Sequence, residues 1–456
     1  MVRLFHVYYP IRMLVLLTCE AFAIAASFVT ATMLVLGADS YLVLNYEGGA
    51  LKIVIVVAIT LLCSYYLDLY APQRLTSKSE IYFRLMAVVG IVSIILAVVA
   101  FVFPHFRIGR YVLLVGLAIL SFVLLLWRNM YGWVISQPLF REHVYVLGSG
   151  ERAEHVIAAI RARRDLGMEI VGYATRNDNR SLTRDEFAKS LAECKVRIDR
   201  IVVAFSDRRG TMPVRELLDL RMAGTKIEEA TSLLEKISGK IEIDGLHPSV
   251  MIFGDGFGVK RSMLLARRLV AIAVSATALL LLLPFIPWII LAVKLSSPGP
   301  VLFRQTRVGQ RGKLFAVYKF RTMRQDAEAG TGAVWAQKDD PRVTRIGRFL
   351  RKTRLDEIPQ LWNVLKGDMG FVGPRPERPE FVQWLTEQIP YYNLRHFIRP
   401  GVTGWAQVRY QYGATLEETR QKLEYDLYYV KHMSVALDLL IIFETLKTVL
   451  LRRGAQ

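Results

Sequence analysis

A membrane α-helical bundle combined with α/β structure is the fold class this sequence predicts. It comprises four transmembrane helices, a Rossmann-like domain, and a mostly α C-terminal domain with a small β-hairpin. Three observations predict it. Four charge-poor runs near the roughly 20-residue length that crosses a bilayer lie in the first third of the 456 residues. A strand–glycine turn–helix pattern follows at 143–163. From residue 294 onward there are 27 Lys/Arg against 16 Asp/Glu, with apolar and basic residues alternating on either side of a glycine-rich turn.

The apolar runs cover about 13–36, 51–70, 85–104 and 111–127. No small-residue cleavage site follows the first, so it reads as a retained helix. The loop at 37–50 has no Lys or Arg, "APQRLTSKSE" (71–80) has two, and Arg3 and Arg12 precede the first run. The positive-inside rule then places both ends of the bundle in the cytoplasm, with Arg107 and Arg110 of the third loop as a counter-signal. Glu20, inside the first helix, is either functional or satisfied within the bundle. The formal charge of +19 on a chain that is 53% hydrophobic suits an anionic membrane leaflet. Bilayer-length apolar runs exclude the nucleic-acid reading. Cys19, Cys63 and Cys194 are far apart and support neither a disulfide framework nor a zinc site.

In "HVYVLGSGERAEHVIAAIRAR" (143–163) the turn is Gly148-x-Gly150-x-x-Ala153, and "EIVGYAT" and "RIVVAF" supply further strands. Such a turn can aim a helix N-terminus at a phosphate. "EIVGYATRNDN" offers no clear acid for a ribose, so a structural or regulatory domain is favoured over a nucleotide-binding one. The domains expected are 1–135 (bundle), 140–250 (Rossmann-like, cytoplasmic) and 260–456.

The third domain begins with Lys260, Arg261, Arg267 and Arg268, then an uncharged segment at 270–293 broken by Pro284 and Pro287. Proline removes a backbone donor and kinks a helix. On physical grounds a proline-kinked spanning helix and a hairpin that enters and leaves on one face are equally open. The hairpin keeps Arg267, Arg268 and Lys294 on one side. A β-hairpin is expected around "GQRGK", with Lys319 and Arg321 on the same side of its second strand. Arg342, Arg345, Arg348, Arg351, Lys352 and Arg354 then form the basic stripe of a helix, suited to anionic lipid.

Ile358, Leu361, Trp362 and Leu365 recur at helical spacing, with Pro359 in the first turn and Gly367 at the stop. Asp356 and Glu357 therefore sit at a helix N-terminus, where the dipole favours negative charge. Helix capping alone would explain such a pair. The surrounding bases, the apolar helix face and the stiff "GFVGPRPERPE" loop presenting Arg375 raise a second possibility. A carboxylate kept ionised by bases can attack phosphorus, with a divalent cation neutralising phosphate charge. Asp339 and Asp340 form a short acidic pair read as a helix cap. The histidines are scattered, without an HExxH motif.

From about residue 260 the chain closely resembles the bacterial polyprenyl-phosphate hexose-1-phosphate transferases, or monotopic phosphoglycosyl transferases. The matching stretches are "SPGPVLFRQTRVG", "YKFRTM", "DPRVTRIGRFLRKTRLDEIPQLWNVLKGDMGFVGPRP", "RPGVTGWAQV" and "YDLYYVKHMSVALDLLII", in the family's order. The bundle and Rossmann-like insert resemble the large members that initiate exopolysaccharide or O-antigen synthesis. "RYQYGATLEETRQKLEYDLYYVKHMS" looks most like the exopolysaccharide-associated branch.

The resemblance implies that Asp356 is a nucleophile toward the β-phosphate of a UDP-sugar, with UMP released and the sugar phosphate passed to undecaprenyl phosphate. It implies Mg²⁺ at Asp356 and a supporting role for Glu357. Arg375 would bind phosphate, with Lys319, Arg321 and Arg354 beside it. Pro284 matches the break of a re-entrant membrane hairpin, which tips the open choice to that form. The places of a serine and an acid common in the family hold Leu283 and Ala271, so hydrogen bonds at the bend are missing and Pro287 is left to compensate. The setting implied is the cytoplasmic face of a bacterial inner membrane, with membrane lipids as partners and a homodimer left open. UDP-glucose and UDP-galactose are the leading donors expected. Competing expectations are a sugar-nucleotide oxidoreductase or epimerase run by the Rossmann-like domain, and a non-catalytic scaffold of polysaccharide assembly.

Overall fold

The computed structural model describes residues 1–71, 77–148, 150–174, 194, 196–205, 212–246, 248–253, 256–258, 260–325, 327, 340–410 and 415–451. They form two compact units, Met1–Val2 with Tyr8–Leu233 and Arg3–Val7 with Leu234–Gln456.

In the first unit, four helices run over α1 Ile11–Leu36, α2 Gly49–Tyr66, α3 Lys78–Val102 and α4 Arg110–Ser136. Each is long and apolar enough to cross a bilayer. All four begin before the apolar runs, where helix includes the flanking residues, and α2 and α3 end short of them, at Tyr66 and Val102. Ser77, for example, caps α3 by accepting from the Glu80 amide at 3.3 Å. Ile24 and Phe28 of α1 meet Val56 of α2, Val88 and Val92 of α3, and Leu120 and Leu124 of α4 in one core. Gly116 permits this approach, since a Cβ there would lie 2.8 Å from the Phe28 ring. Glu20 is buried, 2.5 Å from Arg128 Nε, and accepts a hydrogen bond from the Tyr70 hydroxyl. Both partners lie within the first unit, so Glu20 has an ion pair and a hydrogen bond inside the bundle.

The α/β part contains a four-stranded parallel sheet. Strands β1 Glu142–Leu147, β2 Met168–Ala174, β3 Arg200–Val203 and β4 Lys226–Glu229 lie in the order β2-β1-β3-β4. Helix α5, Glu151–Ala162, follows β1 through the glycine turn, and α6, Val214–Met222, precedes β4. Gly148 has φ +149°, and a Cβ there would stand 2.6 Å from the Ala204 carbonyl, so close backbone approach requires glycine. The first turn of α5 carries Glu151 and Glu154, which already occupy the anion-favouring end of its dipole. "RNDN", where a ribose-binding acid was sought, lies outside the described residues.

In the second unit the apolar segment forms α7 Arg261–Leu282, a 3₁₀ turn at Leu283–Phe285, and α8 Ile286–Ser296. The change of helix falls at Pro284, as predicted. Proline there and at Pro287 supplies no N–H to the carbonyls of Leu280 and Leu283. Both segments pack into the same core. Ala278, Leu279 and Leu282 of α7 join Ile289 and Val293 of α8 around Phe320, Leu350, Ile358 and Leu361. Ala271, where an acid was noted as missing, is instead a core residue beside Val317, Val364 and Met369.

The β-hairpin is present as antiparallel β5 Leu302–Val308 and β6 Leu314–Phe320, turning at Gln310–Gly312. Then come α9 Arg345–Thr353, α10 Gln360–Lys366, β7 Gly370–Val372, α11 Pro379–Gln388, β8 Gly401–Thr403, α12 Trp405–Arg409, α13 Leu416–His432 and α14 Val435–Leu450. β7 and β8 pair in parallel. Arg267 of α7 is anchored to Asp438 of α14 at 2.7 Å.

Candidate active site

Arg354 ends α9 in the left-handed conformation, φ 58°, a costly geometry for a residue with a Cβ. The chain reverses into a 3₁₀ turn, Leu355–Glu357, before α10 begins at Gln360. Asp356 and Glu357 are therefore in the turn that precedes the helix, not its first residues. The N-cap positions are Arg354 and Pro359, neither with a side-chain cap hydrogen bond, so neither acid is the N-cap residue. Ile358, Leu361 and Val364 anchor the turn in the core, while Trp362, predicted on the same apolar face, is 61% exposed. The buried face is rotated because the polar Gln360 and Asn363 turn inward with Leu361 and Val364, which leaves Trp362 on the opposite side.

Both acids are buried. Glu357 Oε1 accepts from Lys319 Nζ at 3.0 Å and from Arg375 Nη2 at 2.8 Å. Lys319 arrives from the end of β6. Arg375 arrives on the Gly373–Pro376 loop, which is fixed by the Gly401 amide on the Pro374 carbonyl (3.0 Å) and by Arg395 on the Arg375 carbonyl (3.0 Å). Burial would raise the Glu357 carboxyl, but Arg375, Lys319 and Arg354 outweigh it and hold the group well below the usual range. Asp356 behaves oppositely. Burial, then the neighbouring Glu357 charge, pushes it upward against the pull of Lys319, Arg354 and Arg351. Its Oδ1 is buried with no hydrogen-bond partner among the described residues. The sequence led us to expect bases keeping the nucleophile ionised. The bases instead bind Glu357, because that carboxylate is the one within their reach.

The remaining expected residues divide. Arg354 contributes charge to both acids. Arg321 does not join Lys319: it is buried beyond β6 and donates to the Ser297 carbonyl at 2.6 Å, at the end of α8. The basic stripe also splits. Arg345, Arg348 and Lys352 are exposed, whereas Arg351 turns inward and donates to Thr322 Oγ1 at 2.9 Å. Asp340 pairs with Arg342 at 2.6 Å, and Asp339 lies outside the described residues.

Sequence reasoning missed Asn363. It is fully buried, accepts from the Tyr318 amide at 3.2 Å and donates to the Ala316 carbonyl at 2.7 Å. It thereby ties α10 to the strand that carries Lys319. A polar residue inside the apolar run "LWNVL" was the available signal.

Among the described residues no group of three His, Cys, Asp or Glu could hold a metal. Asp356 Oδ1, buried and unpaired, is the atom that suits one. A hard cation such as Mg²⁺ commonly takes one or two carboxylates, completing its shell with water and substrate phosphates. The site offers that chemistry: one orphan carboxylate oxygen, one carboxylate clamped by two bases, and a further arginine nearby.

Residues 262–452 match the family described as bacterial sugar transferase, and residues 66–202 match a CoA-binding domain. The chain is 41% identical over 246 residues to the UDP-N-acetylgalactosamine-undecaprenyl-phosphate N-acetylgalactosaminephosphotransferase of Aeromonas hydrophila, covering 53% of this chain and 56% of that protein. It is 35% identical over 324 residues to the UDP-glucose:undecaprenyl-phosphate glucose-1-phosphate transferase of Escherichia coli (strain K12), covering 69% of each. It is 45% identical over 194 residues to the exopolysaccharide production protein PSS of Rhizobium leguminosarum bv. phaseoli, covering 41% of this chain and 97% of that protein.

Proposed function

The chain belongs to the bacterial sugar transferase family, and on that premise we propose that it transfers a sugar-1-phosphate from a UDP-sugar to undecaprenyl phosphate. UMP is released, and the reaction opens the assembly of an exopolysaccharide or O-antigen. The sugar is a hexose or an N-acetylhexosamine, the two classes named for its relatives. The observation that carries this reading is the division of labour within the acid pair: Glu357 clamped by Lys319 and Arg375, Asp356 buried with a free oxygen.

In the first step an Asp356 oxygen bonds to the β-phosphorus. The bridging bond to the α-phosphate breaks, and UMP leaves with that oxygen and its electron pair. Lys319 and Arg375 meet the arriving diphosphate charge, a fork suited to phosphate oxygens. Glu357 positions both bases before substrate arrives. In the second step a phosphate oxygen of undecaprenyl phosphate bonds to the same phosphorus and Asp356 departs as a carboxylate, leaving undecaprenyl-diphospho-sugar. Mg²⁺ held at Asp356 Oδ1 would neutralise phosphate charge.

The α7–α8 segment is a re-entrant hairpin in this reading. Its support is the proline-marked break and the packing of both arms on one core. It keeps the basic C-terminal domain on the cytoplasmic side of the inner membrane, together with the α/β domain. The oxidoreductase alternative draws little support from a helix N-terminus that carries its own acids.

Membranes containing the full chain, undecaprenyl phosphate, Mg²⁺ and a panel of UDP-glucose, UDP-galactose and UDP-N-acetylgalactosamine test the reading. UMP is the expected product, and without acceptor the protein gains the mass of one sugar phosphate. Release of UDP would reject the transfer of sugar phosphate in favour of sugar transfer.

A further inference from the structure

The end of α8 carries polar groups that the transfer chemistry leaves unused. Arg321 is 6% exposed, and although one nitrogen donates to the Ser297 carbonyl, its Nε and Nη1 have no hydrogen-bond partner among the described residues. The Ser297 hydroxyl is likewise buried and unpartnered. A buried guanidinium with two idle donors is costly unless an acceptor arrives. Beside it opens a groove of about 650 Å³ lined by Ser296, Ser297, Pro298, Arg324 and Gln325. Next to the lining residue Pro298, a Cβ at Gly299 would lie 2.5 Å from both Arg321 Nη1 and Gln325 Oε1, so only glycine fits between the guanidinium and the groove residue Gln325.

We propose that this groove holds the phosphate of the acceptor lipid, a phosphate monoester on an apolar chain. The proposal deepens the transfer reading above by assigning the acceptor its own subsite. Arg324, exposed at the rim, supplies the first anion contact, and the idle donors of Ser297 and Arg321 stand buried behind the groove wall as the next partners of the phosphate oxygens. The apolar tail has a surface to follow. Leu295 is 79% exposed immediately before the groove, and Leu302 and Phe303 are exposed immediately after it. Position selects the lipid over the nucleotide. α8 is apolar from Ile286 to Val293 and then carries Lys294, so Lys294–Ser297 marks the depth at which hydrocarbon gives way to headgroups. Arg351 links the groove to the acids: it donates to Thr322, next to Arg321, and its charge acts on Asp356.

The test is direct binding of farnesyl phosphate to the detergent-purified full chain, followed by kinetics in nanodiscs. Binding should weaken at least tenfold in Arg324→Glu and several-fold in Ser297→Ala. Farnesol should not compete, and inorganic phosphate should compete only at far higher concentration. In kinetics, Arg324→Glu should raise the KM for undecaprenyl phosphate about tenfold and leave the KM for the UDP-sugar within twofold. The proposal is overturned if farnesyl phosphate binds both proteins equally or binds neither. It is also overturned if inorganic phosphate competes equally well, if the UDP-sugar KM rises in step, or if the effect follows the anionic phospholipid content of the disc. Absence of UMP release in wild type, with binding intact, would remove the transfer reading and leave the groove standing.

Discussion

The α/β region and the C-terminal region each place acids at or just before the start of a helix, and the two cases differ in everything except sequence position. In the α/β domain Glu151 and Glu154 are exposed in the first turn of α5, behind a glycine turn that resembles a phosphate cradle. In the C-terminal domain Asp356 and Glu357 are buried in a 3₁₀ turn, and bases from a strand and a proline-framed loop converge on one of them. The first arrangement stabilises a helix by complementing its dipole. The second takes two like charges out of water side by side, which is stable only with cations in reach and which drives the two carboxyls apart in acidity. In the proposed reading, burial with converging opposite charge, not the motif, marks the pair that reacts.

The largest effect that could break this contrast is at Asp356. Asp356→Asn keeps shape and burial but removes the attacking oxygen's charge. UMP release should fall by about 10⁴-fold or more, as when a nucleophile is removed. The protein should remain in the membrane fraction with an unchanged detergent-exclusion profile. Turnover close to wild type would mean the pair is as structural as Glu151 and Glu154.

The next effect concerns the clamp. Arg375→Lys and Glu357→Gln should each reduce turnover about 100-fold, since a lysine cannot reproduce a guanidinium fork and a neutral amide cannot hold two cations. The pH dependence sharpens this. In the proposed step Asp356 must be ionised to attack, and burial with the neighbouring Glu357 charge raises its pKa, so the rate should fall with falling pH at values above the ordinary aspartate range near about 3.9. Glu357 is held far below that range and stays ionised throughout, so it cannot produce this limb. In Glu357→Gln the adjacent negative charge is gone, and the acid limb of UMP release should move to lower pH even as the rate drops. A limb that stays in place would contradict the coupling of the two acids.

Much of this arrangement was legible in the chain. Bilayer-length apolar runs give the four helices because spanning length depends on hydropathy alone. The proline pair marks the helix break, and the "GQRGK" turn gives the β-hairpin. Three things were not legible, each for a tertiary reason. Lys319 and Arg321 share a strand face by spacing, yet β6 ends at Phe320, and Arg321 turns to the end of α8. Trp362 fits the apolar period, but burial of the polar Gln360 and Asn363 turns the opposite face of α10 to the core and leaves it outside. Which acid the bases would bind depends on two loops meeting across the fold, and no local spacing encodes that.

Asn363 tests how the reactive arrangement is held. Its amide fills both a donor and an acceptor of β6, so Asn363→Ala leaves the Tyr318 amide and Ala316 carbonyl without partners. The expected loss is about 1–3 kcal/mol of stability per unsatisfied group. Because Lys319 rides on that strand, turnover should also drop about tenfold. A merely structural role would lower the melting temperature and leave kcat of the folded fraction untouched, so the two measurements separate positioning from packing.

The smallest effect belongs to the acids of the other domain. Glu151→Gln with Glu154→Gln removes two charges from the positive end of α5, where each contributes about 0.3–1 kcal/mol at an exposed position. Thermal unfolding of the α/β domain should show that loss, reduced further by salt, which screens exposed charge. UMP release should stay within twofold of wild type, because neither carboxylate lies among converging bases. If the double variant instead lowered turnover as strongly as Glu357→Gln, the glycine-turn helix would be coupled to catalysis. Burial would then no longer be the criterion that distinguishes the two acidic helix starts.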